Sequence, residues 1–302
     1  MKKRELVIIA GPTAAGKTDM AITLAKHWGT EIVSFDSRQF FREMSIGTAK
    51  PSPQQMAEVP HHFIGHISIH DPYSAGRYAV GAEALLNRLF SKHQRLVMVG
   101  GSGLYLDALI KGFDELPAGT EEHRTMLSKL LQEEGITALQ SMLRGLDPEY
   151  YGQVDLQNPH RLIRALEVTL AAGMPYSALR KGKQKKPDFS CYLAGLDLPR
   201  EELYARINAR AQQMIDNGLV EEVRSLLPFR HLNALQTVGY KEIFGFLDGT
   251  VSLEEATAAI RQNTRRFAKR QLTWFRRYEE IRWHRPSAAD EVITAAENFF
   301  LT

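Results

Sequence analysis

A chain of 302 residues with 44% hydrophobic and 24% charged residues buries a sizeable core, which excludes a disordered or peptide-like protein. Its single cysteine, Cys191, excludes a disulfide framework and a Cys-rich zinc finger and fits a reducing compartment. A net charge of +3 with a pI near 8.9 is a weak argument for nucleic acid when spread evenly, and here it is not.

Leu6, Val7, Ile8 and Ile9 predict a buried strand. Gly11 and Pro12 cut that run too short for a signal h-region or a membrane span, and no later stretch is apolar enough to cross a bilayer. Met20, Leu24 and Trp28, at every fourth position, predict a helix. Residues 31–35 and 95–99 read as further short strands. Strands alternating with helices predict an α/β fold, a doubly wound parallel sheet. Between the strands lie His61, His62, His66 and His70, three of them at spacing four. Pro60, Pro72 and the β-type residues Phe63, Ile64 and Ile67 favour an extended segment there over a metal cluster.

From 117 to 187 the strand signal disappears. Helical periods such as Met126, Leu130, Leu131 and Leu162, Leu166, Leu170 replace it. This predicts a helical insertion at 116–189 in a core made of 1–115 and 190–302. The insertion ends in RKGKQKKPD (180–188), a basic run of surface-loop type. Residues 191–198 return to strand character. A helix carrying Arg206, Arg210 and Met214 follows, with a stop at Gly218. Nothing in this pattern demands more than a cytoplasmic monomer.

The strongest motif is Gly11-Pro12-Thr13-Ala14-Ala15-Gly16-Lys17-Thr18. It matches G-x-x-x-x-G-K-[ST] and sits between a predicted strand and a predicted helix, as a phosphate loop requires. Its glycines let successive N–H groups line an anion nest at a helix N-terminus, Lys17 adds a point charge, and Thr18 offers a hydroxyl to Mg²⁺. Arg206 or Arg210 reads either as a second cation for the diphosphate or as part of a surface helix. The loop leaves open whether the diphosphate belongs to ATP or to another ligand. A P-loop NTPase carries an acid at a strand end to hold Mg²⁺, but the 95–99 strand ends in Gly100-Gly101-Ser102-Gly103. The acid stands instead after the second strand, as Asp36 in Asp36-Ser37-Arg38-Gln39. It reads either as a site carboxylate or as the cap of its own turn.

Together these segments bring a resemblance into view. GPTAAGKT (11–18), DSRQ (36–39), IGTAKP (46–51), PHH (60–62), GGSGLY (100–105), NPHRLIRALEV (158–168), GYKE (239–242) and TRRFAKRQLTWF (264–275) resemble, in this order, the motifs of bacterial tRNA dimethylallyltransferases. They span nearly the whole chain. The resemblance implies a P-loop NTPase-like core and transfer of the dimethylallyl group of dimethylallyl diphosphate to N6 of the adenosine just 3′ of the anticodon. It assigns Asp36 the role of general base. It places Ser102 beside the diphosphate and target base, and Lys17, Thr18-bound Mg²⁺ and Arg210 on the leaving group. Ser102 stands where most relatives carry threonine, so the hydroxyl is kept, whereas Phe41 stands where tyrosine is usual and lacks one.

For tRNA the same resemblance implies contacts at Asp36, Ser37, Arg38, Gln39, Ser102, Arg124, His160, Arg161, Leu162, Ile163 and Arg164. Residues 261–285 carry nine Arg or Lys against Glu279 and Glu280, a second basic surface. Arg261, Arg265 and Lys269 share one helical face there, opposite Thr264, Ala268, Leu272 and Phe275. The competing readings are prenyl transfer to free adenine nucleotides, an ATP-dependent small-molecule kinase, and a non-catalytic RNA-binding P-loop protein.

Overall fold

The structure is a computed structural model that describes residues 3–114, 116, 117, 119–180, 182 and 186–301. The chain runs β1 (Glu5–Ala10), α1 (Lys17–Trp28), β2 (Ile32–Ser34), α2 (Pro53–Glu58), β3 (His61–His62), α3 (Ala75–Phe90), β4 (Arg95–Gly100) and α4 (Gly103–Ile110). Five helices follow: α5 (Glu121–Glu134), α6 (Ile136–Leu146), α7 (Pro148–Tyr151), α8 (Pro159–Ala172) and α9 (Tyr176–Leu179). The chain then forms β5 (Ser190–Leu196), α10 (Arg200–Asp216), α11 (Leu219–Ser225), α12 (Tyr240–Leu247), α13 (Leu253–Phe275), β6 (Arg282–His284) and α14 (Ala289–Leu301).

The strands form one sheet in the order β3-β2-β4-β1-β5-β6, parallel at every pairing. The α/β, doubly wound reading therefore holds. Every residue of β1 is buried, as a central strand covered on both faces requires. Its side chains alternate between two cores. Val7 and Ile9 join Val97, Val99, Met20, Leu24 and Val292 under α1 and α14. Leu6 and Ile8 join Leu96, Met98, Tyr78, Leu86 and Leu106 under α3 and α4. A third core, around Tyr240, Ile243, Leu219 and Ile260, unites α10 to α13 and takes in Phe41. Phe41 is thus a packing residue.

Two strands went unforeseen at these bounds. β3 has only two residues and β6 three, too short for an alternation signal, and β6 lies within the basic run. Phe41 and Ile67 add an isolated bridge beside β3.

Residues 111–185 form a compact unit separate from 1–110 with 186–302. Leu127, Leu139, Leu143, Leu162 and Leu166 make its core. Met126, expected inward, is 45% exposed, and its neighbour Leu127 faces in instead. Asp147 caps α7 through the Tyr150 N–H (2.9 Å) and accepts from the backbone and hydroxyl of Ser177, both at 2.7 Å. Lys181, Lys183, Gln184 and Lys185 of the basic 180–188 run lie outside the described residues.

At the amino-terminal end of the sheet, Glu5 and Arg95 are register partners on β1 and β4. Arg95 donates to one Glu5 oxygen from Nε at 2.9 Å and Nη2 at 2.7 Å, and Gln94 donates to the other at 3.1 Å. Glu5 is 3% exposed, so its charge depends on those donors. Removing the arginine leaves a buried carboxylate unpaired, a change that costs about 3–5 kcal/mol. Urea denaturation of Arg95→Met should show a loss in that range, whereas a loss below about 1 kcal/mol would mean that solvent reaches Glu5.

Candidate functional site

The 11–18 loop leaves β1 and enters α1 with alternating handedness. Ala14 has φ 63°, unusual for a residue with a side chain, and Gly16, the N-cap of α1, has φ 83°. Alternation of this kind turns successive N–H groups into one concavity at the helix N-terminus. Gly11 is required by space as well as by its φ of 148°, since a Cβ there would lie 2.8 Å from the carbonyl oxygen of Leu196.

Lys17 Nζ donates back to the Pro12 carbonyl at 2.7 Å. Burial lowers its pKa from 10.5 to about 8, with Asp36 opposing the shift and Arg210 adding to it. Arg210, on α10, points Nη1 at the Thr13 hydroxyl (3.5 Å) and Nη2 at the Ala49 carbonyl (3.4 Å). Burial lowers its pKa too, against the pull of Asp36 and Asp19. Arg206 turns aside to Glu202, at 2.8 Å.

Asp36 follows β2. Its Oδ1 accepts the Arg38 N–H at 3.1 Å, so it caps its own turn while also lining the cavity described below. The two readings of Asp36 are compatible. Ser102, after β4, accepts the Ser37 N–H and donates to the Ser37 hydroxyl, both at 2.9 Å. Thr13, Asp36, Ser37, Arg38, Ser102 and Arg210 thereby share one cavity of about 670 Å³. The far wall is α13, through Ile260, Asn263, Phe267, Arg270, Gln271 and Trp274.

Several of the expected contact residues have partners within the protein. Gln39 commits its amide donors to the Thr48 and Ala49 carbonyls, at 3.3 and 3.0 Å, and so anchors the 46–51 loop instead of offering those donors to RNA. Arg38 donates to the Asn233 and Ala234 carbonyls at 3.3 and 3.0 Å, and burial lowers its pKa. Leu162 is 0% exposed in the core of its unit, so its side chain faces inward, and Ile163 packs on the same core. Arg124 forks onto buried Glu167 at 2.6 and 3.1 Å, a structural pairing. His160 and Arg161 are exposed in the first turn of α8, and Arg164 is half-buried.

The basic stripe of α13 is also not the cavity wall. Arg261 donates to Gln212 at 2.8 Å, and Arg265 lies over the Tyr204 ring at 5.5 Å. Of its basic residues, Arg270 lines the cavity, with its guanidinium 5.8 Å from the Phe267 ring centre. His62 and His93 share the carboxylate of Glu31, at 2.7 and 3.2 Å. Among the described residues no group of three or more His, Cys, Asp or Glu could hold a metal ion.

With this geometry in place, comparison with known proteins is decisive. A family model described as IPP transferase matches residues 39–278. This chain belongs to the IPP transferase family. It is 53% identical over 278 residues to a tRNA dimethylallyltransferase of Christiangramia forsetii, covering 92% of each chain. It is 46% identical over 288 residues to tRNA dimethylallyltransferase 1 of Bacteroides thetaiotaomicron, covering 95% of this chain and 94% of that one. Among solved structures it superposes on the full-length tRNA isopentenylpyrophosphate transferase of Bacillus halodurans with a TM-score of 0.71. That protein is 36% identical, with 99% of this chain and 96% of that one covered.

Other residues do work that no sequence pattern indicates. Glu222 accepts the N–H groups of Ser45, Ile46 and Gly47 at 3.0, 2.7 and 3.0 Å and the Tyr240 hydroxyl at 2.6 Å, holding the 46–51 segment in place. In GYKE, Glu242 accepts from the Gly239 N–H at 2.8 Å and from Asn263 at 2.7 Å. Gln271 sits in line with apolar positions of α13 and gave no signal of its own.

The lowered Lys17 pKa gives a pH prediction. Between about 8 and 10.5 the unfolded chain holds this proton and the folded protein does not, so the group's contribution to stability rises with pH across that window. A bound diphosphate supplies the missing counter-charge and draws the proton back. Calorimetry with pyrophosphate above pH 8, in buffers of different ionisation enthalpy, should therefore report net proton uptake that Lys17→Met abolishes. Equal uptake by both proteins would assign the proton to another group.

Proposed function

We propose that this protein is a tRNA dimethylallyltransferase, transferring the dimethylallyl group of dimethylallyl diphosphate to N6 of the adenosine just 3′ of the anticodon. The observation that carries this reading is the meeting of Thr13 of the phosphate loop with Asp36, Ser102 and Arg210 around one cavity, with Lys17 electrostatically coupled to Asp36 and Arg210. The names of relatives that cover nearly the whole chain support it.

In the reaction, the bond from the allylic carbon to the diphosphate oxygen breaks and a bond from that carbon to N6 forms. Diphosphate leaves with the electron pair, and N6 loses a proton. Asp36 is the base for that proton, since an exocyclic amine is too weak a nucleophile to keep it as the new bond grows. Loop N–H groups, Lys17 and Arg210 meet the charge that develops on the leaving group, in a cavity where burial already makes an anion welcome. The Ser37 and Ser102 hydroxyls orient the acceptor base. The Thr18 hydroxyl is an oxygen donor of the kind that Mg²⁺ takes beside substrate phosphates and water. Thr18 would hold such an ion, which when bound would offset the negative charge developing on the leaving group.

N6 lies within a stacked loop, so the base must leave the stack to enter the cavity. His160, Arg161, Arg164 and the exposed Arg266, Lys269 and Arg270 are the groups available to phosphates and splayed bases. The proposed enzyme acts as a monomer on tRNA in the cytoplasm.

The test supplies labelled dimethylallyl diphosphate, Mg²⁺ and unmodified tRNA. Wild type should move label into the RNA, and Asp36→Ala should lower the rate by roughly a hundredfold or more. Label transfer to free adenine nucleotides but not to tRNA, or ATP consumption with no transfer, would sink this reading.

A further inference from the structure

We propose that Gln271 is a positioning residue for prenyl transfer, holding the phosphate loop and the Ser102 loop at a fixed separation. The inference rests on the prenyl-transfer reading above.

Gln271 is 6% exposed and uses both ends of its amide. Oε1 accepts the Thr13 N–H at 2.8 Å, and Nε2 donates to the Gly101 carbonyl at 2.8 Å. Thr13 belongs to the loop that holds the leaving group. Gly101 is the residue before Ser102, whose hydroxyl is bonded to Ser37, next to Asp36. One planar amide therefore spans the diphosphate side and the acceptor side of the cavity. A displacement tolerable in a surface loop here changes the distance between reacting atoms, and an error near 1 Å costs on the order of a hundredfold in rate.

Gln271 also removes a donor from the nest. The Thr13 N–H points at a protein acceptor, so the anion must sit on the remaining loop donors and on Lys17. This limits the register in which a diphosphate docks.

The fit around this amide is tight. A Cβ on Gly101 would lie 2.2 Å from Nε2, and one on Gly103 would lie 2.2 Å from the Trp274 ring. Trp274 is itself held by a hydrogen bond from Nε1 to Asp107, at 3.0 Å. Ser102 is thus flanked by two glycines, each pressed against a side chain of α13.

The experiment measures labelled transfer to tRNA by wild type, Gln271→Leu, Gln271→Glu and Gly101→Ala, together with melting temperatures. Gln271→Leu loses both bonds. Its kcat should fall roughly ten- to a hundredfold, with KM for dimethylallyl diphosphate changed less than about threefold, because the lost alignment matters in the transition state. Gly101→Ala displaces the amide from the other side and should show the same split. Gln271→Glu keeps an acceptor for Thr13 but, when ionised, has no proton for Gly101. Its kcat relative to wild type should climb as the pH falls and the carboxyl gains a proton, while the Gln271→Leu ratio stays flat.

Retention of kcat within about twofold by Gln271→Leu would overturn the proposal. So would losses that simply follow melting temperature, with flat pH ratios throughout. Should Gln271→Leu fail to fold, the pH ratio of Gln271→Glu decides alone. A wild type that transfers no label would overturn the prenyl-transfer reading itself, whereas variants indistinguishable from an active wild type would overturn only the role of Gln271.

Discussion

In a parallel sheet every strand delivers its carboxyl end to the same edge, and the site of this protein depends on that constraint. β1 ends in the phosphate loop, β2 in Asp36 and β4 in the Ser102 loop. The order β2-β4-β1-β5 sends the chain from β1 past the place of β4 to β2, and later from β4 to the far side of β1. The crevice at such a reversal is where open α/β sheets bind ligands. Three motifs far apart in sequence therefore need no dedicated machinery to meet.

What the edge brings together, close approach holds in place. Gly100 passes so near Phe35 that a Cβ would lie 2.6 Å from its ring, and Gly47 leaves 2.5 Å for the Tyr240 ring. Such contacts let the Glu222 carboxylate and the Gln271 amide reach backbone directly. Helix α13 then serves two ends. Its Ala268 and Phe275 are buried, while Phe267 and Arg270 border the cavity.

Electrostatics give the cavity its appetite. Lys17, Arg38 and Arg210 all have pKa values lowered by burial, and Asp36 offsets the effect at each of them. Several desolvated cations around one carboxylate are costly without a ligand, and an anionic group relieves that cost.

Much of this was legible in the sequence because it is local. The buried-strand run Leu6 to Ile9, the eight-residue phosphate loop, the helical periods of the insertion and the position of Asp36 are each written in contiguous residues, and the ordered motifs carried the family. Edge strands of two or three residues are not legible, since their pairing is decided by neighbours and not by pattern. Nor is the fate of a polar side chain. Arg124 and Gln39 read as contacts for RNA, yet Glu167 and the Ala49 carbonyl claim them. Leu162 sits in a basic motif but faces the core, because helix geometry, not motif membership, sets its direction. Gln271 lies in an apolar stripe, and only the packing of α13 across the strand ends reveals that its amide joins two loops. Short-range pattern thus determined the fold class and, through the ordered motifs, the family, whereas which hydrogen-bonding groups are left free was decided by tertiary contacts, since each donor is spent on whatever acceptor the fold brings nearest.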